Sequence, residues 1–208
     1  MGMETNWAAE QLQTIRTLME RSAVYRRALA PIMLSAGAIG VVAAASGLLF
    51  HLDSPQEFGE LWLGTAIGVI VVAFFIARQQ AFKSQEKFWS PPTLRVGQAL
   101  LPPLLCGMVL GGAFILVDDM GEYLPWLPFF WSLFYGLALH AAGFFMPRGV
   151  RWFGWIYIIV GCSFLLYYAI YQPDYHFNSH WLMGFFFGVL HLAYGAYLYL
   201  TEKGKNAA

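Results

Sequence analysis

Two histidines, His140 and His191, stand inside long apolar stretches, while Asp174, His176 and His180 crowd one polar loop. Imidazoles on separate helices at comparable depth can ligate one b-type haem through their ring nitrogens, with aromatic neighbours as the pocket wall. Counted at the helical rise from Arg148 and Lys203, His140 and His191 lie roughly 12 and 18 Å from those basic residues, so their depths differ by about 6 Å. The same pair, with an aromatic lining around Tyr167, Tyr168 and Tyr194 between the fourth, fifth and sixth apolar runs, would also suit a quinone or another apolar ligand. The plainer alternative is that each ring is neutral and hydrogen bonded to a Ser, a Tyr or a carbonyl across a helix contact.

The loop triad offers a carboxylate and two imidazoles, ligands for zinc or manganese, and His176 and His180 share a helical face if that stretch coils. Acidic clusters at 53–60 and 118–122, and His51, fall on the same side. A hydrated loop that is acidic because basic residues are excluded from it accounts for the same composition. No Glu completes a His-Glu-x-x-His pattern, no Ser sits in a Gly-x-Ser-x-Gly frame, and no phosphate-binding glycine loop occurs. No catalytic residues are assigned, and an enzyme is not expected. Cys106 and Cys162 read as small packing residues inside spans.

The elements that must carry these groups are apolar runs. Of 208 residues, 59% are hydrophobic and 12% charged, a composition of an integral membrane protein rather than a soluble domain. The runs place six transmembrane helices at about 28–50, 61–82, 99–117, 126–146, 152–171 and 181–200, followed by a short tail at 201–208. Pro102 and Pro103 fall early in the third run, where they should kink it or split off an interfacial segment around Thr93 to Leu101. All twelve Lys and Arg fall at one set of ends, which predicts that both termini are cytoplasmic and that the protein is an even-numbered multi-pass membrane protein. That side carries an excess of positive charge suited to anionic lipid, and no basic soluble domain is present for nucleic acid. No Asp, Glu, Lys or Arg falls well within a run, which argues against ion-coupled transport and leaves passive passage of a small solute as a weaker option.

Pairs at Gly64 and Gly68, Gly107 and Gly111, and Gly184 and Gly188, with Ala36, Gly40 and Ala44, predict close helix contacts within the bundle. Trp62, Trp126, Trp131 and Trp181 at one interface and Trp89, Trp152 and Trp155 at the other read as anchoring belts. The inner ends of the even spans read AFFIAR from Ala73, GFFMPR from Gly143 and GAYLYL from Gly195, a weak likeness compatible with three related hairpins.

Residues 1–27 form an amphipathic helix ahead of the spans, with Ala8, Leu12, Ile15, Met19 and Ala23 along one face. The stripe suits either the inner leaflet, helped by Arg21, Arg26 and Arg27, or a groove on a protein partner or a second copy, through Leu12, Ile15 and Met19. The stretch Leu12-Gln13-Thr14-Ile15-Arg16-Thr17-Leu18-Met19-Glu20-Arg21-Ser22 resembles the opening helix of bacterial multi-pass inner-membrane proteins of no assigned activity, some encoded beside winged-helix regulators. That resemblance implies a regulatory, sensory or assembly subunit and carries no site residues.

Replacing Leu12 and Ile15 together by Asp should weaken association of the protein with its leaflet or partner while leaving the spans inserted. Co-purification from membranes of the variant beside the parent measures this.

Overall fold

The computed structural model describes residues 28–83, 85, 88–117, 121–171 and 178–206. The amphipathic stretch 1–27 and the loop residues Asp174 and His176 lie outside them. The described chain is helical without strands: α1 Ala28–Leu49, α2 Pro55–Lys83, α3 Pro91–Leu116, α4 Leu127–Ala142 and α5 Arg148–Tyr171, then α6 Ser179–Met183 running through a π turn at Gly184–Val189 into α7 Leu190–Asn206. The last three form one rod, of which Ser179–Thr201 is apolar enough to span a bilayer.

Five helices are long and apolar enough to cross a membrane, which is the architecture of a multi-pass membrane protein. The expected fourth span, 126–146, is represented by α4, which has 16 residues. Both ends of α4 are cut by proline. Ahead of it, Gly121–Trp126 winds as a 3-10 turn containing Pro125. At its other end Pro147 disfavours helix at Met146 before it, and the chain leaves α4 at Gly143, whose N–H returns to the Leu139 carbonyl. The third run differs in the opposite sense. Pro102 and Pro103 lie inside α3, which continues unbroken from Pro91 to Leu116 without a separate interfacial segment. Each proline frees the carbonyl four residues before it, a loss that helices in membranes tolerate when neighbours cover the gap.

Local chemistry explains the boundaries at the α1–α2 turn. His51 adopts a left-handed conformation, φ 52°, and the Leu52 N–H reaches back 3.0 Å to the Gly47 carbonyl, closing α1. Ser54 and Glu57 then cap α2 reciprocally, with Pro55 in the first turn, where its missing N–H costs nothing.

Glycines set the packing. α1 runs antiparallel to the last rod, and along the seam a side-chain carbon at Gly40 would collide with the Phe187 carbonyl, one at Gly188 would stand 2.8 Å from Val41, and one at Gly184 2.7 Å from Ala44. Gly47 is filled the same way by the ring of His180. α4 and α5 pair likewise, a carbon at Gly136 lying 2.9 Å from the Gly154 carbonyl and one at Gly154 2.7 Å from the His140 nitrogen. The Gly64 and Gly68 pair departs from expectation: neither glycine has a neighbour within 4 Å among the described residues. Of the expected aromatic belt, Trp89, Trp152 and Trp181 are exposed, whereas Trp62 and Trp131 are buried.

Gly40→Ala should lower stability by about 1–3 kcal/mol, because backbone atoms face the new carbon and cannot swing aside. Gly64→Ala should leave it unchanged or raise it. Thermal unfolding of the two variants in one detergent measures the difference.

Candidate functional site

Three of the candidate histidines occupy different surroundings. His180 begins the last rod, where Asn178 caps the helix by accepting the His180 N–H at 2.8 Å. Its ring is buried against Phe58 and Trp62, and Phe58 stacks in turn on Trp131. An indole N–H only donates and a carbonyl only accepts, so the tautomer is fixed. Trp62 Nε1 donates to His180 Nδ1 at 3.1 Å, and Nε2 donates to the Leu52 carbonyl at 2.9 Å. Both ring nitrogens are therefore spent on joining the α1–α2 turn, α2 and the last rod. Among the described residues no cluster of three potential metal ligands occurs.

His140, on α4, packs edge-on against Phe144 and Trp155, and its buried Nδ1 has no hydrogen-bond partner. His191, on α7, is buried against Tyr135, Phe153, Tyr157 and Phe187. No described hydrogen bond or ring contact joins His140 to His191, and they share no aromatic neighbour. Both ring nitrogens of His191 have hydrogen-bond partners.

What surrounds His191 is instead a tyrosine relay. Tyr135 Oη on α4 stands 2.7 Å from His191 Nε2, and Tyr157 Oη on α5 stands 3.0 Å from Nδ1. The Tyr157 hydroxyl donates to the Phe186 carbonyl, which also lies 3.2 Å from His191 Nδ1. Phe186 belongs to the π turn, where the Leu190 N–H bonds to the Phe185 carbonyl five residues back. The wider turn leaves the Phe186 oxygen accessible to side chains from the neighbouring helix, a common role for such turns at functional sites. Sequence reading passed over Tyr135 and Tyr157. Tyr168, which it named, lies in the core, and Tyr167 is exposed.

Beside the relay lies a cleft of about 230 Å³ between α1, α2, α3, α4 and the last rod. Its walls are apolar, including Gly40, Ala66, Leu104, Met108 and Phe187. The two tryptophans that border it have their N–H groups committed, Trp62 to His180 and Trp131 to the Gly107 carbonyl at 2.8 Å. Thr65 is similarly committed, to the Leu61 carbonyl at 2.7 Å. Tyr135 and His191 reach the same cleft from the relay. Ile67, Ile70 and Met108 line it too and are exposed, so the space reaches the outside of the bundle through apolar side chains.

The chain matches no protein-family model, no curated protein and no solved structure. What it can do has to be argued from this geometry.

Trp62→Phe should cost about 1–3 kcal/mol, since it strands a buried His180 nitrogen. Replacing Trp62 and His180 together by Phe should cost less than the sum of the two single changes, read from denaturation midpoints in a double-mutant cycle.

Proposed function

We propose that this protein is a non-catalytic membrane binding protein that holds a small amphiphile, drawn from the bilayer, in the cleft beside Tyr135 and His191. The observation that supports this reading is the contrast within one cavity: its walls are apolar, the tryptophan and threonine side chains that border it have their hydrogens committed within the protein, and two residues of the relay, Tyr135 and His191, line it. Such a site grips an apolar body by contact and orients it through one polar point. The cleft is smaller than the usual range for whole drug-sized ligands, roughly 300–1,000 Å³. It suits a ring or headgroup whose tail leaves between the exposed side chains of α2 and α3.

In this reading the chain crosses the membrane six times, with both ends on the cytoplasmic side of a bacterial inner membrane. The antiparallel course of α1 against the last rod supports an even number of crossings. With α4 counted, its 16 residues and the 3-10 turn before it complete that parity. The concentration of Lys and Arg at one set of ends supports the orientation.

A second reading, a subunit that acts by contact with a membrane partner or another copy, is favoured by one observation. Gly64 and Gly68 stand uncovered on α2 beside exposed Ile67 and Val71, a face of the kind on which membrane helices associate. The 1–27 segment, with Leu12, Ile15 and Met19, would add to that contact.

Ala66→Trp fills the cleft from an exposed position on α2 and should leave the core unchanged. Mass spectrometry of small molecules retained after gentle purification should find a compound on the parent protein that is depleted at least about tenfold on this variant. Equal retention of every compound by both proteins would remove the cleft from consideration.

A further inference from the structure

The relay has a direction, and the direction selects the ligand. It ends on the Phe186 carbonyl, which can only accept. Tyr157 donates its hydroxyl proton there, so that proton is not available to His191. His191 Nδ1 faces two oxygens, Tyr157 Oη at 3.0 Å and the Phe186 carbonyl at 3.2 Å. A bare nitrogen lone pair aimed at both would be repelled, so Nδ1 carries the hydrogen. Among the described residues no acidic side chain is recorded in contact with the ring to balance a second proton, and a lone buried charge is costly, so the imidazole is neutral. Its Nε2 is therefore the acceptor, and Tyr135, 2.7 Å away, donates to it.

Tyr135 has then given up its one proton. Its oxygen keeps lone pairs with nothing further to donate, and the residue that carries it lines the cleft. The tryptophan N–H groups around the same space are committed elsewhere, to His180 and to Gly107. Taken together with the cleft reading above, on which this step rests, we infer that the cleft selects amphiphiles that bring a hydrogen-bond donor: an alcohol, phenol, quinol or amine on an apolar body, in preference to a ketone, quinone, ester or ether. Tyr135 is the binding residue. His191 and Tyr157 are positioning residues, which hold the tyrosine proton turned away from the ligand.

The test measures equilibrium binding of four probes of similar size to the full-length protein in one detergent. 4-Octylphenol and 4-octylaniline can donate, whereas 4-octylanisole and 4-octylbenzaldehyde can only accept. The parent protein should bind the two donors about tenfold more tightly than the two acceptors, the worth of one neutral hydrogen bond in a dry site. Tyr135→Phe should bring all four to the weaker level, and Ala66→Trp should abolish binding of all four. The probe comparison is made on the unaltered protein, so it stands even if Tyr135→Phe misfolds. Equal affinity for the four, still blocked by Ala66→Trp, would overturn the donor rule and leave the cleft reading intact. Tighter binding of the aldehyde and the ether would overturn it by reversing the proton direction. Binding indifferent to Ala66→Trp would overturn the cleft reading and this inference with it.

Discussion

The approach of the last rod to α1, close enough to exclude side-chain carbon at Gly40 and Gly188, is the constraint on which the remaining geometry rests. Helices inside a bilayer gain little from hiding apolar surface, because lipid is as apolar as leucine, and they associate through close packing and hydrogen bonds. Here the seam runs from Leu34 against Gly195 to Gly47 against His180, along most of α1. It fixes the rod's height and rotation. At one end that puts the His180 ring between Trp62 and the Leu52 carbonyl, and towards the other it turns His191 to meet helices α4 and α5. Larger residues at the seam would separate the rod from α1 and disturb both histidines at once.

The two histidines illustrate opposite uses of the same chemistry. Away from water a buried polar atom is costly to leave without a protein partner, and groups that only donate or only accept dictate how their partners orient. At His180 the account closes: an indole gives, a carbonyl takes, and the ring is a strut linking a turn, a helix and the last rod. At His191 the chain of bonds ends on a π-turn carbonyl on one side and on a tyrosine oxygen at a cavity on the other. The open end is what separates a candidate site from a structural bond. The unpartnered nitrogen of His140 belongs to a residue that does not line this cleft and that packs against the edges of Phe144 and Trp155.

The helical, multi-pass character was legible in the sequence, because span length is set by the bilayer rather than by tertiary detail. The small residues of α1 and the pair Gly184 and Gly188 were also legible as contact points, since close approach demands glycine whatever the partner. The uncovered faces were not: Gly64 and Gly68 carry the same spacing, and only the arrangement of neighbours distinguishes a filled groove from an empty one. Proline had opposite outcomes for a related reason. Pro102 and Pro103 are carried within a continuous helix, while Pro147 follows the unwound end of α4, and supporting neighbours decide which occurs. At the site, His191 announced itself as a polar residue in an apolar run. Tyr135 and Tyr157 did not, because tyrosine is frequent in this chain and only the π turn gives Tyr157 a carbonyl to reach. The tyrosine content of the spans, read at the depth of each histidine, was the signal available.

The central claim is that the cleft beside Tyr135 is a ligand site. A crystal structure of the protein grown from a lipid phase with 4-octylphenol present tests it most directly. The account predicts density for the phenol between α2, α3 and α4, its hydroxyl within hydrogen-bonding distance of Tyr135 Oη and its tail leaving past Ile67 and Met108. A cleft closed by its own side chains, or a phenol bound only on the outer surface of the bundle, would contradict it.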